Sequence, residues 1–160
     1  MKFVLYVKTF SNKIYPIVSD SQQLFDTFSY IFYSLSGIPP SMHYFRILNT
    51  SSLVSPCFGQ TMGDLGFYMD CEIEMVQSNC YNPSITVFAD FFAQKLLAFS
   101  VDPTKTVSTL SNMILSSAQK YKSIQLPLDF IIEYNKSQLQ MDQSLCSVGI
   151  DDGSIISIHG

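Results

Sequence analysis

The sequence predicts an α+β chain made of two tandem copies of one small unit, each a mixed sheet crossed by a single helix. Three observations predict it. In each half the apolar pattern changes from period two to period 3.6 and back again. The halves repeat one another at a near-constant offset, Asp20 to Asp102 being 82 positions and Phe67 to Ile150 being 83. The stretch Gly37-Ile38-Pro39-Pro40 closes one helical run and opens a strand, because glycine suits a helix C-cap and two prolines forbid further helix.

In the first half, Phe3, Leu5 and Val7 alternate with Val4 and Tyr6, which is a strand. After the turn at Phe10-Ser11-Asn12, a second strand is expected from Lys13 to Val18 with Tyr15 and Ile17 facing the core. Pro16 within it demands an edge position, since proline cannot donate to a ladder. Asp20 or Ser21 is placed to N-cap the helix whose buried face is Leu24, Phe25, Phe28, Ile31, Phe32 and Leu35. His43, Phe45 and Ile47 then alternate with Tyr44, Arg46 and Leu48 as a third strand, so His43 reads as a structural histidine. A turn-rich stretch with Pro56, Gly59, Gly63 and Gly66 precedes a last strand carrying Ile73 and Met75 inward.

The polar run Gln77 to Ser84, ended by Pro83-Ser84, reads as a linker, giving domains over residues 1–77 and 85–160 with 78–84 between them. The pattern then restarts. Ile85, Val87 and Ala89 form one strand, and Leu97, Phe99 and Val101 the next. Asp102-Pro103 is placed to open a helix with the face Val107, Leu110, Ile114, Leu115 and Ala118. Phe130, Ile132 and Tyr134 make a further strand, and Ile155 to Ile158 the last. Each half buries a small core, so neither is expected to be very stable alone.

Composition narrows the function. Of 160 residues 47% are hydrophobic, yet the longest apolar run, Leu24 to Leu35, is broken by Asp26, Thr27, Ser29 and Ser34, short of the roughly 18 residues a membrane helix needs. Five apolar residues after Lys2 are too few for a signal peptide. A net charge of −4 with scattered Lys and Arg offers no footprint for nucleic acid or an anionic membrane. The 4 cysteines, Cys57, Cys71, Cys80 and Cys146, form no CxxC pair, which fits a reducing compartment such as the cytoplasm. No Cys/His cluster has metal-ligand spacing, so no metal or cofactor is expected. With 2 histidines and no convergent nucleophile and base, an enzyme is not expected either.

The opening Met1-Lys2-Phe3-Val4-Leu5-Tyr6-Val7-Lys8-Thr9, the Gly-Ile-Pro-Pro after the first helix, and Thr61-Met62-Gly63-Asp64-Leu65-Gly66-Phe67 before the last strand resemble ubiquitin. The second half is similar through Ser144 to Ile150 and its final strand. The resemblance implies two tandem β-grasp domains of the ubiquitin-like family, an arrangement similar to that of the interferon-induced two-domain modifiers.

It also implies which residues to inspect. The centre of ubiquitin's apolar binding face falls on Arg46 in the first half and Glu133 in the second, with Glu74 and Val76, then Ser157 and His159, on the neighbouring strand. These six form the candidate interaction surface. Its charges exclude the usual apolar contacts, because burying an unpaired charge costs several kcal/mol. The lysine positions of the common ubiquitin chain types fall on Thr50 and Met69, then Ser137 and Asp152, so polymerisation of that kind is not expected. Conjugated members end in Gly on an extended tail. This chain ends His159-Gly160 with a shorter tail, and Gly160 is the candidate conjugation residue.

The leading expectation is a monomeric modifier attached to target lysines through Gly160, with activating and conjugating enzymes, a cleaving protease and target proteins as partners. The alternative is an unconjugated ubiquitin-like interaction module, one that could form part of a larger assembly.

Overall fold

The computed structural model describes residues 2–48, 50–77, 84–92, 95–121, 124, 126–127 and 129–159. The chain divides into two compact units, Met1–Asn82 and Pro83–Gly160. Each is a β-grasp: a five-stranded mixed sheet with one helix between its second and third strands. Of the expected linker only Ser84 is described; residues 78–83 lie outside the described residues, as does Gly160.

The first unit runs β1 (Lys2–Lys8), β2 (Ile14–Asp20), α1 (Phe25–Ser36), β3 (Phe45–Ile47), β4 (Leu53–Val54) and β5 (Cys71–Met75), with the sheet order β2-β1-β5-β3-β4. β1 pairs antiparallel with β2, Leu5 opposite Ile17, and parallel with β5, Val7 beside Ile73. The strand alternation therefore delivers Phe3, Leu5 and Val7 to one face, where α1 adds Phe25, Phe28 and Phe32, all buried. Phe28 meets Phe45 edge-on with ring centroids 5.9 Å apart. Burying each such side chain contributes about 1.5–3 kcal/mol. Pro16 does lie on an edge strand, opposite Tyr6.

α1 stops where the sequence says. Gly37 sits in the left-handed region at φ 72°, and its N–H donates to the Tyr33 carbonyl at 2.8 Å. Its start is a correction. The helix opens after Leu24, and Asp20 ends β2 with its carboxylate accepting the Gln22 N–H at 2.9 Å, which shapes a turn instead of a cap. The Phe25 N–H is taken by the Gln60 carbonyl at 2.8 Å, so a distant loop serves the helix end. The buried face is also narrower than the apolar pattern: Leu35 is 54% exposed, while Asp26 and Ser29 are buried. Asp26 accepts the Gly59 N–H at 2.8 Å. β3 begins at Phe45, leaving His43 at the end of a single 3-10 turn, Pro40–Met42.

The second unit repeats the plan with β6 (Ile85–Phe91), β7 (Lys95–Val101), α2 (Val107–Ala118), β8 (Ile131–Tyr134), β9 (Ser137–Gln138) and β10 (Ile155–His159), in the order β7-β6-β10-β8-β9. β6 and β10 are the parallel centre, Ala89 beside Ile156. α2 starts after Thr106 and not at Pro103, because Asp102 holds the Thr104 N–H at 2.9 Å in a turn of its own. Leu110 and Ile114 are fully buried; Leu115 is only half-buried, and Ser111 shares the inner face.

Candidate interaction surface

On the sheet face away from α1, β3 and β5 set Arg46 directly opposite Glu74, and Arg46 Nη1 lies 3.5 Å from Glu74 Oε1. β1 places Lys8 beside Glu74 on the other side, so cation, anion and cation stand in one row across three strands. Val76 follows β5 and donates its N–H to the Tyr44 carbonyl at 2.9 Å, which keeps it at the margin of the row. Exposed ion pairs of this kind contribute about 0–1 kcal/mol to stability, so their weight lies in what they attract and repel.

In the second unit the matching place belongs to Glu133 on β8, opposite Ser157 on β10. His159, two residues along β10, brings Nε2 to 3.4 Å from Glu133 Oε2. Of the candidate residues the structure thus brings together Arg46 and Glu74 in one unit, and Glu133, Ser157 and His159 in the other. The two faces are not copies. One centres on a permanent cation, the other on a carboxylate whose partner is charged only when protonated.

His43 is wholly buried. Its Nε2–H donates to the Ile38 carbonyl at 2.8 Å, which leaves Nδ1 to accept the Ser29 hydroxyl at 2.7 Å. Loss of solvation pushes its pKa down to about 4, against the opposing pull of the Ile38 hydrogen bond. A serine on an imidazole is the geometry of an activated nucleophile, but neither side chain is reachable by a substrate. The pair ties α1 to the chain that follows it. Among the described residues no group of three His, Cys, Asp or Glu side chains is placed to hold a metal ion.

Two surface features escaped the sequence reading. The β1–β2 side of the outer face is apolar, with Tyr6, Ile14 and Val18 at 40%, 60% and 61% exposure. Their signal was a strand pair apolar on both faces. The second feature is a cleft of about 350 Å³ in the first unit, between the β3–β4 turn and the Leu65–Cys71 segment, floored by Ile47, Val54 and Phe67 and rimmed by Leu53 and Met69. No sequence signal announces it, because its walls come from two stretches separated along the chain, 47–54 and 65–71.

No protein-family model matches the chain, and no curated protein matches it. Among solved structures, a chain described under "Molecular Mimicry of SUMO promotes DNA repair" is 16% identical over 50% of this chain and 95% of its own, with a TM-score of 0.41. The ubiquitin-like domain of an Arabidopsis thaliana protein, solved by solution NMR, is 26% identical over 51% of this chain and 81% of its own, also with a TM-score of 0.41. On its own strand order and registers, this chain has a tandem ubiquitin-like fold.

Proposed function

We propose that the chain works as a tandem ubiquitin-like recognition protein, read by partner proteins through the outer faces of its two sheets and not itself conjugated. The observation that carries this reading is the Arg46–Glu74 pair standing at the centre of the first outer face, with Glu133 at the place of Arg46 in the second and paired to His159, two residues along β10 from the residue that faces it. A partner must answer those charges, because covering them with an apolar surface leaves them desolvated at a cost of several kcal/mol. Two unlike faces on one chain suit a bivalent contact, in which each weak interaction raises the effective concentration for the other.

A second reading is attachment to target lysines through Gly160 by activating and conjugating enzymes, supported by the glycine-ended members of the family that the sequence resembles.

One experiment separates the two. The tagged chain is recovered from its native cells under native and under denaturing, reducing conditions. Partners present only in the native sample, whose affinity falls about tenfold with Arg46→Glu and with raised salt, support recognition. Higher-mass species that survive denaturant and vanish on deletion of Gly160 establish the modifier instead.

A further inference from the structure

The second unit shows what the cleft of the first is shaped to hold. Registers align the two. Arg46 faces Glu74 and Leu53 as Glu133 faces Ser157 and Gln138, so the next residues, Ile47 and Tyr134, are equivalent. Gly66 and Gly149 both stand at positive φ, 94° and 88°, and each precedes a residue whose N–H returns to the same point of the turn, Phe67 to Met62 and Ile150 to Leu145. Cys71 then corresponds to Ser154.

In the second unit Tyr134 spans this interval. Its hydroxyl lies 3.2 Å from the Gly149 carbonyl oxygen and 3.4 Å from Ser154 Oγ. In the first unit Ile47 is too short to cross, and Ile47, Gly66 and Cys71 line the open cleft. The β3–β4 turn differs as well. The second unit turns in two residues, Asn135 and Lys136, whereas the first uses a longer loop closed by the Ile47 N–H on the Ser52 carbonyl at 2.9 Å, which raises a wall bearing Leu53.

We propose that this cleft is a docking site for a tyrosine side chain of a partner polypeptide, the ring lying on Ile47, Val54 and Phe67 and the hydroxyl donating to the Gly66 carbonyl. A volume of about 350 Å³ accommodates a phenol ring with its neighbouring backbone. Charge selects the form of the ligand. The lining carries no charged side chain, so a neutral hydroxyl is accepted while a phosphate would be desolvated there with no cation among the lining residues to meet it.

The test titrates the full chain with blocked Gly-Tyr-Gly, Gly-Phe-Gly, Gly-Leu-Gly and Gly-phosphoTyr-Gly peptides, followed by amide chemical shifts. The tyrosine peptide is expected to move the Leu53–Val54 and Phe67–Cys71 amides saturably. The phenylalanine, leucine and phosphotyrosine peptides are expected to bind about tenfold more weakly or not at all. Ile47→Tyr should supply the ring from within, as Tyr134 does, and weaken peptide binding about tenfold while the unfolding temperature stays level or rises. Leu53→Asp, at a site 68% exposed, should weaken binding without disturbing the core and serves if Ile47→Tyr misfolds. Shifts confined to other surfaces, equal affinity for the phosphorylated peptide, or binding unaffected by both substitutions overturns the proposal.

Discussion

His43 Nδ1 lies 2.7 Å from Ser29 Oγ inside an apolar core, with the ring centroids of Phe32 and Phe45 4.9 Å and 6.0 Å from that of the imidazole. The neutral imidazole is the form that fits. Protonation places a second N–H against a hydroxyl in a site that solvates charge poorly.

That arrangement predicts an acid-labile first unit. An unfolded histidine titrates near 6.5, and the folded value is about 4. The folded value is depressed, so the unfolded chain takes up the proton first as pH falls. Stability is complete above about pH 6.5 and declines by about 3 kcal/mol in total as pH falls to about 4. Urea denaturation of the parent and of His43→Gln, from about pH 7 to about pH 4, measures this as the difference between their slopes. Equal slopes would remove His43 as the cause.

Helix faces give a second prediction. Ile114→Ala, at a fully buried site, is expected to cost the second unit about 2–5 kcal/mol. Leu35→Ala, on the exposed side of α1, is expected to stay within about 0.5 kcal/mol. Chemical denaturation of both variants against the parent is the check, and comparable losses mean that the face of α1 is assigned wrongly.

Arg46→Ile is expected to change stability by less than about 1 kcal/mol, since the ion pair it removes is exposed. Binding should respond much more. An isoleucine at the centre of the outer face restores apolar area worth about 25 cal/mol per Å² buried, so a domain that reads ubiquitin's apolar face should bind the variant and ignore the parent. Titration calorimetry with such a domain decides it, and indifference to the substitution means that other residues exclude the reader.

Limited proteolysis is expected to cut first between residues 78 and 84, because among the described residues the last bond of the first sheet region is Val76 to Tyr44 and the second sheet begins at Ile85. Two fragments near half the mass of the chain, identified by mass spectrometry, are the expected product. First cuts inside α1 or α2 with no half-sized fragment contradict the proposed division at that stretch.

Much of the architecture was legible because it depends on local chemistry. Period two in Phe3, Leu5 and Val7, the stop at Gly37 with its two prolines, and the repeat of both patterns need no knowledge of distant contacts. Helix starts were misplaced for a physical reason. Asp20 and Asp102 carry the chemistry of caps, but each closes a turn onto Gln22 or Thr104, and the helix amides are met by loops far along the chain. Leu35 was assigned to the core because periodicity cannot say how wide the covering sheet is. Arg46 facing Glu74 and Glu133 facing Ser157 are set by strand register, which depends on which strands lie side by side and not on local pattern. The cleft stayed hidden because it arises from one side chain being shorter than its counterpart, Ile47 against Tyr134.

Pro16 has a consequence for how the chain behaves when crowded. Thr9 and Lys13 share a ladder bond at 2.8 Å, so counting by twos turns Tyr15 and Ile17 toward β1 and turns the backbone of Ile14, Pro16 and Val18 to the open side of the sheet. That side also carries the exposed Ile14 and Val18 side chains, which makes it a template for another strand. With no N–H at its midpoint, the strip cannot complete a continuous ladder with an incoming chain. The proline therefore guards an apolar margin against stacking copy upon copy, while leaving that margin open to partners that bind by side chains alone.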